Sequence, residues 1–215
     1  MDELLESIWN AGLILLGDRV RQEYGLATPI FIDLRHRLYE DVALLGQLGR
    51  ALHRKISSLA GGPAPAPQQV VGIPDTATPL ALAAAMASLG SPLELLYGQL
   101  RKRPAAYPGG ASGASVFMGT WREDREITLI DDVMASGRSK LWAIEQLLKD
   151  GVPVHRILVV VDREQGGDAI LAERGCPVHS LYTITQVLDY FARTGKVDPT
   201  AARAALDYLH RKQFR

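Results

Sequence analysis

The sequence predicts an α/β protein: a parallel β-sheet flanked by helices, with a small N-terminal hood. Three observations carry this. From residue 70 onward, short apolar or β-branched runs alternate with helical stretches, the mark of βαβ units. Those runs are continuously apolar rather than alternating, as strands covered on both faces should be. The chain has 215 residues and 47% apolar composition, enough for one domain with a sizeable core.

The elements follow in order. Leu5, Ile8, Trp9, Gly12, Leu13 and Leu16 recur at helical spacing, which predicts a helix over 2–16. A turn-like stretch, Gly25 to Pro29, precedes the apolar run Ile30-Phe31-Ile32 and Asp33. A long helical pattern runs from about Leu38 to Ser58. It ends at Gly61-Gly62-Pro63-Ala64-Pro65-Ala66-Pro67, which reads as a connector. The chain therefore divides into a hood (1–60), a connector (61–69) and an α/β core (70–215).

In the core, strands are predicted at Val70–Ile73, Leu93–Tyr97, Ile127–Ile130, Ile157–Val161 and Val178–Tyr182. Helices are predicted at 79–89, 138–150, 168–174, 184–193 and 199–211. Residues 98–126 carry several Gly and Pro and no clear period. They read as a long loop, or a loop plus irregular strands, and such loops are usually functional or mobile. In the last helix Ala202, Ala205, Leu206 and Leu209 share a face that is either core or interface.

Charge excludes several functions. Lys and Arg number 24 against 24 Asp and Glu, so a dedicated nucleic-acid binder, which needs a basic excess, is not expected. The longest apolar run, Leu80 to Ala87, is far below the roughly 18–20 residues that span a bilayer. The start, Met1-Asp2-Glu3, is acidic where a secretory signal is basic. One cysteine, Cys176, permits no intrachain disulfide. It reads as a small buried residue before a strand. The five His show no metal-ligand spacing. A cytoplasmic protein is expected. No Gly-x-Gly-x-x-Gly follows a strand, which disfavours a dinucleotide-binding oxidoreductase.

The most informative stretch is Ile127 to Ser139. An apolar strand runs into Asp131-Asp132, a short loop of small residues follows (Val133, Met134, Ala135, Ser136, Gly137), and a helix opens at Arg138-Ser139. Ligands of open α/β sheets bind beyond the carboxyl ends of strands. Loop N–H groups, a helix N-terminus and the Ser136 and Ser139 hydroxyls suit a phosphate. Two carboxylates beside it would repel that phosphate. They make sense if they accept hydrogen bonds from a sugar diol, or hold a divalent cation.

This stretch resembles the phosphoribosyl pyrophosphate (PRPP) motif of the type I phosphoribosyltransferases: hydrophobic residues, two acids, two variable residues, then a small or hydroxyl residue, Gly, any residue and a hydroxyl. Further segments resemble the orotate phosphoribosyltransferases. These are Thr28 to Arg35, Val71 to Leu80, Asp162-Arg163-Glu164-Gln165-Gly166-Gly167, and His179 to Asp189, in that order along the chain. The resemblance covers about residues 10–210. It implies a Rossmann-like core and a Mg²⁺-assisted transfer of ribose 5-phosphate from PRPP to orotate, with Mg²⁺ carried by PRPP and no protein metal site assigned. It implies that Asp131 and Asp132 hold the ribose 2′- and 3′-hydroxyls and that Ala135 to Ser139 wrap the 5′-phosphate. It makes Pro74, Asp75, Thr76 and Ala77 the pyrophosphate loop, with Phe31 packing on the base and Arg163 on its carboxylate. It also implies a homodimer whose loop around 101–110 reaches the neighbour's site. Phe31 could equally be core, and Arg163 an exposed ion-pair partner.

The chain departs from that family in two places. The family's catalytic loop carries Arg-Lys-x-x-Lys-x-His/Tyr-Gly. Here Arg101 and Lys102 match, as does Tyr107, but Ala105 replaces the second Lys and Pro108 the Gly. Arg103, two residues away, could substitute for the missing cation. Near residue 23 the family has a Lys where this chain has Glu23. Either Arg21 reaches the site instead or the base is not orotate. A divergent, weakly active or inactive PRPP-binding regulatory homologue, or a transferase for a different base, is the alternative these departures leave open.

Overall fold

The computed structural model describes residues 2–61, 65–105 and 115–214. At the N-terminus, helix α1 (Asp2–Asn10) leads into strand β1 (Ile14–Leu16), helix α2 (Asp18–Tyr24) and strand β2 (Ile30–Ile32). A short 3-10 turn (Arg37–Tyr39) precedes the long helix α3 (Val42–Ala60). The expected helix over 2–16 is thus corrected. Gly12 takes a left-handed φ of 65° and ends the helix. Ile14 to Leu16 then form a ladder with β2, pairing Ile14 with Ile32 and Leu16 with Ile30. Three apolar residues in a row satisfy a helical stripe and a buried strand equally, and here the partner strand decides. The expected helix over 38–58 begins later, at Val42, because the Asp41 side chain accepts the Leu44 N–H at 2.8 Å and caps it there.

The core then alternates as expected: β3 (Gln68–Gly72), α4 (Thr78–Ala87), β4 (Leu95–Ala105), β5 (Ser115–Met118), β6 (Glu126–Met134), α5 (Arg138–Lys149), β7 (Arg156–Asp162), α6 (Gly167–Ala172), β8 (Val178–Thr183), α7 (Ile184–Arg193) and α8 (Pro199–Arg211). Two sequence expectations change. Strand β4 continues past Tyr97 to Ala105, and β5 pairs with it antiparallel, so much of the expected loop is an edge hairpin. Strand β6 does not stop at the acid pair. It stays paired with β7 as far as Met134 opposite Asp162.

The six strands lie in the order β5-β4-β3-β6-β7-β8. All neighbours are parallel except β4 and β5. Alternate residues along each strand feed two cores. Val70, Ile130, Leu158 and Val160 face α3, α4 and α7. Val71, Leu129, Ile157 and Val159 face α5 and α6. This double burial is why the strand sequences read as unbroken apolar runs. Cys176 is buried, and burial pushes its thiol up to about 11, an inert packing residue. The shared face of α8 is core: Ala202, Ala205 and Leu209 are buried. Among the described residues no helix is long and apolar enough to cross a membrane.

Candidate functional site

The strand order reverses direction at one place. From β3 the chain moves through α4 to β4 on one side, whereas β6 starts on the other side of β3 and leads on to β7 and β8. The loops leaving β3 and β6 therefore diverge, and a crevice opens between them. A cleft of about 470 Å³ occupies this position. Residues of β2 and the turn after it form one wall, the ends of β3 and β6 the floor, and Arg163 after β7 the far side.

The acid pair sits on that floor, and each acid has its own surroundings. Asp131 is 5% exposed. Its Oδ2 lies 2.6 Å from the Lys140 ammonium and accepts the Ser139 hydroxyl at 3.2 Å. Its Oδ1 accepts the Asp132 N–H at 2.9 Å. Asp132 accepts the Val133 N–H at 2.7 Å through Oδ1, and its Oδ2 is 3.9 Å from the Arg35 guanidinium. Burial first, then the adjacent Asp131 carboxylate, pushes the Asp132 carboxyl up to about 7, against the opposing pull of Lys140. The folded state thus keeps a proton that the unfolded chain releases above about pH 4. The stability this confers is full below that pH and is lost as pH rises through about 7. Warming the ligand-free protein at about pH 5 and pH 8 should show a larger fall in melting temperature for the wild type than for Asp132→Asn, which cannot titrate. Equal falls would contradict the assignment.

The loop that follows β6 is short. Val133 and Ala135 border the cleft, and Gly137 takes a left-handed φ of 76° as the residue before α5. Met134 is fully buried in the core, so its side chain is not a ligand contact. Arg138 is exposed. Helix α6 packs directly under this loop, because a Cβ on Gly167 would lie only 2.2 Å from the Ala135 carbonyl oxygen.

Residues 74–77 leave β3 and double back over its end. The Ala77 N–H bonds the Ile73 carbonyl at 3.1 Å. Pro74 and Thr76 border the main cleft, while Ala77 is fully buried and packs in the core. A second hollow of about 500 Å³ continues outward from it, sharing Arg35, His36, Pro74 and Thr76 with the first. There Lys102 lies 2.6 Å from the Asp75 carboxylate. Arg101 lies beside Met118 and Arg103 is exposed. Ala105 ends β4, paired with Ser115. Tyr107 and Pro108 lie outside the described residues, as do the other residues from 106 to 114.

Phe31 and Arg163 both border the main cleft. Phe31 is half-buried, with the Tyr24 ring at 4.5 Å. Tyr24 donates its hydroxyl to Asp33, and Asp33 also accepts the backbone N–H groups of Arg35 and His36 at 2.9 and 3.2 Å. Burial alone would raise the Asp33 carboxyl, but these bonds outweigh it and hold it low. Asp33 thereby fixes the turn that aims Arg35 at Asp132. The Arg163 Nε is buried with no hydrogen-bond partner, and burial lowers the guanidinium's proton affinity. A charged donor left unpaired in a cleft is costly and calls for an anion. The alternative of an exposed ion pair for Arg163 does not hold.

Glu23 does not face the cleft. It pairs with Arg19 and Arg37, while Tyr24, one residue on, borders the cleft instead. Arg21 lines a separate groove beside Asp18 and Thr28, so it is not the substitute cation. Sequence reasoning missed Lys140 and Tyr24 altogether. Nothing in a single sequence marks Lys140, since a Lys in the first turn of a helix ordinarily faces water.

No family model matches the chain. Individual proteins do. An orotate phosphoribosyltransferase of Thermoplasma acidophilum is 29% identical over 187 residues, covering 87% of this chain and 97% of that one. A uridine 5′-monophosphate synthase of Caenorhabditis elegans is 28% identical over 198 residues. That match covers 90% of this chain but 36% of the synthase, so the chain spans about a third of the longer protein. The crystal structure of an orotate phosphoribosyltransferase from Aeropyrum pernix superposes with a TM-score of 0.61 at 25% identity, over 88% of this chain and 99% of that one. Sheet order, motif order and similarity along nearly the whole chain agree: this chain has the type I phosphoribosyltransferase fold and is similar, over most of its length, to orotate phosphoribosyltransferases.

Proposed function

We propose that this protein transfers ribose 5-phosphate from PRPP to orotate, giving orotidine 5′-monophosphate and pyrophosphate in pyrimidine biosynthesis. The observation that carries this reading is the composition of one cleft. It joins an acid pair and the loop after it to Phe31 and to Arg163, whose buried Nε has no hydrogen-bond partner among the described residues. The relatives named above, which bear the names of that enzyme and of a uridine 5′-monophosphate synthase, support the same reading.

The positions support the following mechanism. The ribose lies at the acid pair, with its 5′-phosphate on the loop from Ala135 to Ser139. The base stacks on Phe31 and its carboxylate meets Arg163, where a guanidinium binds bidentately. Pyrophosphate lies along residues 74–77 toward Arg101, Lys102 and Arg103. The base nitrogen attacks the anomeric carbon as the bond to pyrophosphate breaks, through an oxocarbenium-like transition state with inversion. Lys102 stabilises the negative charge growing on the leaving group. Among the described residues no three His, Cys, Asp or Glu cluster to hold a metal. Mg²⁺ characteristically keeps several waters and binds through substrate phosphates; carried on PRPP, it would supply positive charge beside the leaving pyrophosphate.

We also propose that 1–60 act as the hood, supplying Phe31 and Arg35, with 61–69 as connector and 70–215 as core. The homodimer is part of the same proposal. Helix α4 is apolar on all sides, and Leu82 and Met86 on it, with Leu89 just beyond, are exposed. Such a patch suits a second copy.

Ala105 favours the second reading, a PRPP-binding regulator of low activity. The deciding experiment incubates the protein with Mg²⁺, PRPP and orotate and follows orotate loss with pyrophosphate release. Turnover is expected. Micromolar PRPP binding by calorimetry without turnover would overturn the orotate assignment in favour of the regulator or of another base, which a screen of bases distinguishes.

A further inference from the structure

We infer that the two acids divide their work: Lys140 locks Asp131 into the protein frame, and Asp132 alone presents a free carboxylate oxygen to the ribose hydroxyls. This rests on the phosphoribosyl reading of the cleft and sharpens it, because the family resemblance assigns both acids to the sugar.

The argument starts from Lys140, which is only 3% exposed. A buried ammonium is tolerated only when its donors are met. Lys140 meets them with three oxygens: the Asp131 carboxylate at 2.6 Å, the Val133 carbonyl and the Ser139 hydroxyl at 3.4 Å. These partners belong to the end of β6 and the first turn of α5, so one side chain ties strand and helix together. Its effect on Asp131 is decisive. Oδ2 is taken by Lys140 and Ser139, and Oδ1 by the Asp132 N–H. Asp132 differs. Its Oδ1 accepts one backbone N–H, and among the described residues its Oδ2 has no hydrogen bond, only the Arg35 guanidinium at 3.9 Å. Arg35 is 71% exposed at its side chain and free to swing aside when a ligand arrives. Lys140 is therefore a positioning residue, and Asp132 is the acid that touches the sugar.

Calorimetry with PRPP and Mg²⁺ at about pH 8, above the range in which Asp132 holds its proton, tests this on four variants. Asp132→Asn should weaken PRPP binding about tenfold or more, the loss expected of a hydrogen bond to a charged group. Asp131→Asn should weaken it several-fold less than Asp132→Asn does. Lys140→Met strands a buried carboxylate and should also weaken binding. The double variant Asp131→Asn/Lys140→Met removes that stranded charge and should regain at least about threefold over Lys140→Met, a coupling that a purely structural role would not produce. Equal losses from Asp131→Asn and Asp132→Asn, or no recovery in the double variant, would overturn the division of labour. Should Lys140→Met fail to fold, the comparison of the two Asn variants decides alone. Wild-type protein that binds no PRPP would sink the phosphoribosyl reading itself and this inference with it, a different result from equal losses.

Discussion

Replacing Lys102 by alanine is expected to lower kcat about 100- to 1000-fold, with KM for PRPP changed only a few-fold, because its charge matters most as pyrophosphate departs. In the resting protein Lys102 is held 2.6 Å from Asp75, and both side chains are mostly exposed, at 60% and 78%. An exposed pair of this kind contributes about 0–1 kcal/mol. It is therefore easily exchanged for a pyrophosphate oxygen, and its loss should leave the melting temperature almost unchanged. Against growing negative charge the same ammonium is worth about 2.7–4 kcal/mol, the range found for removing one oxyanion donor. Ala105 makes the expectation steeper, since no second lysine stands in the strand to share the load. Single-turnover measurement of orotidine 5′-monophosphate formation checks it, and Lys102→Arg should recover part of the rate. A normal rate in Lys102→Ala would remove this residue from the mechanism and turn attention to Arg103.

Much of the site is legible in the sequence, and the parts that are not share a cause. The acid pair and its loop could be read because strand, turn and helix follow one another without a break from Ile127 to Ser139. Phe31 and Arg163 could be read only by resemblance. Neither has a local pattern separating it from core or surface, and it is the unpaired Arg163 Nε that makes the difference. Lys140 was invisible because its burial depends on how α5 docks against the end of β6, a tertiary fact with no trace in helical periodicity. Glu23 misled for a related reason. In a seven-residue helix, one position of rotation decides whether Glu23 or Tyr24 meets the cleft, and the ion pair with Arg37 turns Glu23 away. The length of β4 was underestimated because Arg101-Lys102-Arg103 is polar. Its ladder partner β5 begins only at Ser115, and only pairing between segments so separated reveals the strand.

The second large effect is expected from adding one carbon atom under the loop of residues 73–77, proposed above to hold pyrophosphate. Gly72 is the last residue of β3, between Gln99 of β4 and Ile130 of β6. The chain leaves it, turns through residues 73–77 and lays the first turn of α4 back across it. A Cβ at Gly72 would lie 2.3 Å from the Ala77 carbonyl oxygen and 2.6 Å from both the Ala77 carbonyl carbon and the Thr78 Cα. All three are backbone atoms, so no side chain can rotate to make room. The strand cannot retreat either, since it is paired on both sides. The loop and the start of α4 must lift instead. Overpacking of this kind costs typically about 1–3 kcal/mol, which for a chain of this size lowers the melting temperature by roughly 2–12 °C. The lift also displaces Pro74 and Thr76 from the cleft they border. Gly72→Ala should therefore weaken pyrophosphate and PRPP together, while orotidine 5′-monophosphate, which has no pyrophosphate, keeps most of its affinity. Melting curves and the three binding constants check this, and an equal loss for all three ligands would mean that the whole cleft has collapsed rather than one loop.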